Sequence, residues 1–215
     1  ALGPKALVFE MLTPEQAAMM PVDRSDPVAL AAALGWDSGG WPDFSLYYPI
    51  FTAAPGARVF GANIPREAVG RAMEIGSGAV FGPDAGLYGL NADLAPADQA
   101  TREADQMQAH CNALPAEMLP GMVAGQRLRD AALARAVVQA MAATGGPVAV
   151  ITGNGHARRD QGMVVPLTLA APQLRVLSVG QLEDDPGADA PFDLWIVTQA
   201  AVREDPCLGF APKKS

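Results

Sequence analysis

Short apolar runs alternate with helical patterns in the first and last thirds of the chain, and the runs disappear in between. Five of them predict buried strands: Ala6–Met11, Arg58–Ala62, Pro147–Thr152, Arg175–Val179 and Leu194–Thr198. Each is rich in β-branched or aromatic residues and bounded by Gly, Pro or polar residues. Their apolar positions are continuous rather than alternating, the pattern of parallel strands covered on both faces. Thr13-Pro14-Glu15-Gln16 joins a Thr N-cap to Pro at N1 and Gln at N3, a capping box that opens a helix over Pro14–Met20. Asp26-Pro27 opens a second over Val28–Leu34, and a third is predicted over Ser45–Ala54. From Pro65 to Thr144 only helical stretches and Gly/Pro turns remain. The longest are Ala97–Ala113 and Glu117–Ala143, the latter with Met118, Met122, Leu133, Val137 and Met141 near helical spacing. The prediction is an α/β protein with a large parallel sheet flanked by helices, built from residues 1–64 and 145–215. A smaller all-helical subdomain, 65–144, is inserted in it. The tail Pro206–Ser215 is expected to be irregular.

Leu2-Gly3-Pro4 has the grammar of a helix ending, an apolar last turn followed by Gly and Pro, yet a strand follows at once. The numbered chain is therefore expected to begin inside a domain, with a first strand and helix missing. Half of the residues are hydrophobic and 18% are charged, a globular balance. The net charge of −8 repels phosphate backbones and anionic lipid, so a nucleic-acid partner is not expected. The two cysteines, Cys111 and Cys207, form no CxxC motif, which argues against a Cys-based zinc site. They are either buried thiols or one long-range disulfide, and the second would imply an oxidising compartment.

Candidate chemistry concentrates where strands end. Gly153-Asn154-Gly155-His156 follows the run Pro147–Thr152, and ligands bind at the carboxyl ends of strands in open parallel sheets. His156 is either a ligand-facing residue there or a helix cap in a satisfied core niche. Glu10 ends another strand inside Val8-Phe9-Glu10-Met11, and a carboxylate in an apolar run is costly unless paired. It either joins His156 and Asn63 in a polar cluster or ties loops together by accepting from Arg66, Arg127 or Arg158. His110 ends a helix, where it either satisfies the last carbonyls or faces the sheet edge. Tyr88, within Gly86-Leu87-Tyr88-Gly89-Leu90, suits a ligand contact, whereas Tyr48, before Pro49, reads as packing. Trp36 and Trp41, flanking a Gly-rich turn, read as core cover. Walker, GxGxxG, GxSxG and HExxH signatures are absent.

Several ordered segments resemble one family: Leu7–Gln16 (LVFEMLTPEQ), Trp41–Ile50, Gly61–Glu67, Tyr88-Gly89-Leu90, His110-Cys111 with Leu114-Pro115, Gln126–Asp130 (QRLRD), Thr152–Asp160 (TGNGHARRD) and Asp205-Pro206-Cys207. The chain is similar to the ChaN-like haem-binding lipoproteins, within the superfamily that also holds Tiki proteins and erythromycin esterases. The resemblance implies a parallel sheet with a smaller helical domain and haem as cofactor. It also implies a bacterial envelope location, in the periplasm or lipid-anchored to the outer membrane, with a role in haem-iron uptake or storage. A homodimer formed on haem binding and an outer-membrane haem receptor are the implied partners. A tyrosine would ligate iron, Tyr88 first and Tyr48 second. His110, then His156, would contact the propionates, with Arg127, Asn154 and Glu10 in the pocket. The family lysine has no counterpart, since only Lys5, Lys213 and Lys214 exist; Arg127 or Arg102 would replace it. The contexts of Cys111 and Cys207 resemble the family's cysteines and so imply the disulfide. The family's opening Gly-Glu-x-His strand is also missing. In the wider superfamily it joins an acid like Glu10 and a histidine like His156 in a hydrolase site. The alternative function is therefore a metal-assisted hydrolase whose site this chain would leave incomplete.

Overall fold

The structure, a computed structural model, describes residues 3–187 and 189–210. Lys213, Lys214 and Leu2 of the Leu-Gly-Pro turn lie outside them. Strand β1 (Ala6–Phe9) pairs in parallel with β2 (Arg58–Gly61) on one side and β3 (Val148–Ile151) on the other, giving the order β2-β1-β3. β4 (Val179–Leu182) and β5 (Leu194–Val197) form a separate parallel pair. The expected α/β architecture and parallel pairing are therefore present, divided between a three-stranded and a two-stranded sheet. The predicted fourth strand, Arg175–Val179, is displaced towards the C-terminus. Pairing starts only at Val179, and the Phe192 ring lies 2.8 Å from the point where a Cβ on Gly180 would stand. Cover on both faces holds for β1, whose four residues are all buried, but not for β5, whose four apolar residues are all exposed.

The helices follow their local signals. α1 (Pro14–Ala18) has the reciprocal capping box: Gln16 N–H donates to Thr13 Oγ1, and Thr13 N–H donates to the Gln16 side chain. α2 (Pro27–Ala33) is capped by Asp26, and α3 (Tyr48–Ala53) follows a 3₁₀ turn at Phe44–Leu46. The central third contains α4 (Arg66–Ile75), α5 (Ser77–Phe81), α6 (Pro96–Ala109) and α7 (Leu119–Thr144), and no strand among its described residues. After β3 come α8 (Asn154–Ala157) and α9 (Val164–Ala170). The tail is irregular only in part, because Pro206–Phe210 forms a 3₁₀ turn whose Cys207 is disulfide-bonded to Cys111.

α7 organises one face. It packs against α4, α6 and α9 and also against β1, and it buries Leu128, Leu133 and Val137 with a series of alanines. A helix buried on several sides needs small residues where its neighbours come close, which explains the alanines. The pleat of β1 divides the core: Ala6 and Val8 face α7, while Leu7 and Phe9 face a second cluster with Leu30, Leu34, Phe44 and Phe51. Phe9 stacks on Phe51 at 4.6 Å in that second layer.

Gly61 closes the edge of β2. A Cβ there would stand 2.1 Å from the Thr13 carbonyl oxygen and 2.4 Å from that of Leu12, both backbone atoms. Gly61→Ala is expected to destabilise the protein by about 1–3 kcal/mol, measured by urea unfolding, because the crossing loop has no flexible side chain to move.

Candidate functional site

Three elements bring one polar cluster to the carboxyl edge of the sheet. β1 delivers Glu10, β3 delivers Thr152, Gly153 and then His156 in α8, and α7 delivers Gln126 and Asp130. Glu10 Oε2 accepts from Thr152 Oγ1 at 2.7 Å and from Gly153 N–H at 2.8 Å, while its Oε1 lies 3.6 Å from His156 Nε2. On the other side of the ring, His156 Nδ1 donates to Asp130 Oδ1 at 2.7 Å. Gln126 lies against the same edge, its Nε2 3.1 Å from Nδ1. Both His156 and Asp130 are buried. The following loop fixes the His156 backbone: Met163 N–H donates to the His156 carbonyl, and a Cβ on Gly162 would lie 2.3 Å from that oxygen.

The electrostatics of this cluster favour a bound proton. Burial raises the Asp130 pKa, opposed by the hydrogen bond from His156. Burial works against charge on His156, but the bond to Asp130 and the charges of Asp130 and Glu10 outweigh it and raise the imidazole pKa. His156 therefore holds a proton more tightly than a free imidazole, between the side chains of Asp130 and Glu10. Asp130 Oδ2 is left buried with no hydrogen-bond partner in the protein.

The Gly153–His156 segment forms a single helical turn at the sheet edge. Asn154 does not face the cluster: its Nδ2 donates to Gln181 O at 2.5 Å and its Oδ1 accepts from Gln181 N–H, tying the turn to β4. Glu10 accepts from none of the three arginines considered for it. Arg127 donates to the Gly89 and Ala92 carbonyls, and Arg158 pairs with Asp105 and Asp160. Asn63 does not join the cluster either; it lines a separate cavity with Pro14 and Arg135. His110 donates from Nδ1 to the Gln106 carbonyl at 2.8 Å and ends α6 beside the disulfide.

A cavity of about 170 Å³ opens beside the cluster, and Tyr88, Arg102, Arg127 and Asp130 all line it. Tyr88 is only 5% exposed and packs against Phe81 at 5.1 Å. Burial raises its phenol pKa, opposed by the Arg135 charge and reinforced by Asp84. Arg102 donates to the Gln161 carbonyl and Arg127 to two further carbonyls, so backbone oxygens hold both guanidiniums. Among the described residues neither has a carboxylate within salt-bridge distance. Burial lowers both pKa values, and the Arg102 charge adds to the effect at Arg127. Leu87 and Leu169, beside this region, are more than half exposed. Arg102 and Gln161 also line a second cavity of about 290 Å³ with Gln126 and Gly155, so they form a wall between the two.

The other tyrosines lie elsewhere. Tyr48 donates to the Arg24 and Ser25 carbonyls and packs in the Phe44 layer. Tyr47 packs on Trp36, and its pKa is raised by burial and by the charge of Glu10. No helix among the described residues is long and apolar enough to cross a membrane, and no group of three or more His, Cys, Asp or Glu among them is placed to hold a metal ion.

Sequence reasoning had missed Asp130, Gln126, Thr152 and Tyr47. For Asp130 a signal existed: it falls between Val123 and Val137 on the same helical stripe, a carboxylate in register with a buried face.

A family model described as "Haem-binding uptake, Tiki superfamily, ChaN" matches residues 1–167. Among solved structures, the chain is similar to one titled "Cofacial heme binding to ChaN of Campylobacter jejuni", with 15% identity and a TM-score of 0.63. That match covers 88% of this chain and 72% of the other, and at this identity it speaks for the fold. No curated protein matches.

Proposed function

The chain belongs to the ChaN haem-binding uptake family of the Tiki superfamily, and from that premise we propose that it binds haem in the bacterial envelope for iron uptake or storage. The observation that carries this reading is the meeting of Tyr88, Arg102 and Arg127 at one cavity beside exposed Leu87 and Leu169. These residues suit haem in kind: a phenol for ferric iron, two guanidiniums without carboxylate partners for propionates, and apolar side chains for the ring face. Bound haem would supply the iron, and these side chains would hold and orient it.

Tyr88 is the proposed iron ligand, and Arg102 with Arg127 takes the place of the family's lysine. Tyr48 is less suited, because its hydroxyl is already committed to two backbone carbonyls. His156 is held between Asp130 and Glu10, so its proposed part is to set the charge of the cavity wall through Asp130. Because exposed apolar residues flank the cavity, we propose that haem is shared with a second copy of the chain. Tyr88 would hold the iron as its phenolate, so its phenol would release one proton per site. Apparent affinity is therefore expected to rise with pH by up to about tenfold per unit below the Tyr88 pKa.

Titration of the purified protein with haemin, followed by absorbance and sedimentation, tests the reading. It predicts a saturable high-spin spectrum of tyrosinate type and a shift from monomer to dimer; no spectral change at stoichiometric haemin overturns it.

A second reading, a hydrolase, is favoured by the Asp130–His156–Glu10 alignment, which resembles a positioned acid–base group. It predicts ester turnover that is lost in His156→Ala but kept in Tyr88→Phe.

A further inference from the structure

The cavity at Tyr88 presents two guanidiniums without salt bridges and an unmet hydrogen bond in the same place. Arg102 and Arg127 bring two guanidiniums whose hydrogen bonds go to backbone carbonyls, with Asp93 in the same lining and Asp98 and Asp160 near enough to act on them through charge alone. Two guanidiniums free of salt bridges at one cavity suit a carboxylate ligand. Asp130 adds a second requirement. It is 2% exposed, its Oδ1 is taken by His156, and its Oδ2 has no partner in the protein while the residue lines the cavity. A buried carboxylate oxygen without a donor is costly, so the fitting ligand must bring a hydrogen-bond donor of its own.

We propose that this cavity binds a small hydroxycarboxylate, its carboxylate on Arg102 and Arg127 and its hydroxyl donating to Asp130 Oδ2. The space of about 170 Å³ matches a molecule of that class, roughly the volume of five or six waters. Pro166 and Leu169 give the carbon skeleton an apolar wall. Paired guanidiniums suit a planar carboxylate. The inference goes beyond haem binding, because the propionates of haem lack the hydroxyl that Asp130 selects and the proposed ligand contains no iron.

Isothermal titration of the purified chain with lactate and with propionate, which differ by that one hydroxyl, is the test. Lactate is expected to bind about tenfold or more tighter, the usual value of a hydrogen bond to a charged buried group. Asp130→Asn should abolish the preference and Arg102→Gln should weaken both acids. Equal affinities, no binding of either acid, or a preference that survives in Asp130→Asn would each overturn the proposal. Should Asp130→Asn not fold, undiminished lactate binding by Arg102→Gln would overturn it instead. A haemin titration that fails while lactate is still preferred removes the haem reading and leaves this one standing.

Discussion

Asp130→Ala is expected to cost about 3–5 kcal/mol of stability. The carboxylate is fully enclosed and holds His156 at 2.7 Å, so its removal leaves a buried imidazole without the partner that keeps it charged. Asp130→Asn keeps the shape and should cost less. The same pair fixes how stability depends on pH. The folded-state pKa of His156 is raised above its ordinary 6.5, so its contribution is complete below about pH 6.5 and is lost as pH rises through the folded value. The Asp130 pKa is raised above 3.8, and its protonated form is likewise favoured in the folded state. Both effects make stability fall as pH rises. Urea unfolding at a series of pH values should show this decline in the wild type and a flatter profile in Asp130→Asn. A wild type that gains stability steadily from pH 6 to 9 would contradict the assignment.

Tyr88→Phe is expected to weaken haem binding by at least about tenfold, or about 1.4 kcal/mol, and to abolish the tyrosinate spectrum. The substitution separates ligation from folding. The phenol makes no hydrogen bond within the described structure, and the ring contact with Phe81 survives, so stability should change by less than about 1.5 kcal/mol. Tyr48→Phe is the complementary control. It forfeits the bonds to the Arg24 and Ser25 carbonyls, at about 0.5–1.5 kcal/mol, and should leave haem binding as it was. Equal haemin affinity and an unchanged spectrum in Tyr88→Phe would remove Tyr88 from the site.

What could be read from the sequence was local. The Thr13 capping box, the runs at β1 and β3 and the turn at Gly153 depend on neighbouring residues, and each lies where its pattern put it. The meeting of Glu10 and His156 followed from strand direction alone. Asp130 was harder to find because it contacts His156 from 26 positions away, through the packing of α7 over the sheet. Its neighbours Ala131, Ala132 and Leu133 gave it the look of an ordinary helix. Asn154, a polar residue in a Gly-rich turn that suggested a ligand contact, pairs through its amide with the backbone of β4, a partner that sequence spacing does not reveal. The start of β4 was misplaced because apolar content extends back to Arg175, whereas pairing begins at Val179. The Tyr88 cavity depends on four segments, at residues 88–94, 102, 127–130 and 161–169, that only the tertiary fold brings together.

The resonance Raman spectrum of the protein loaded with ferric haem tests the central claim most directly. Ligation by Tyr88 predicts iron–phenolate bands in the wild type that disappear in Tyr88→Phe and persist in Tyr48→Phe; a spectrum without those bands, or one unchanged in Tyr88→Phe, would contradict it.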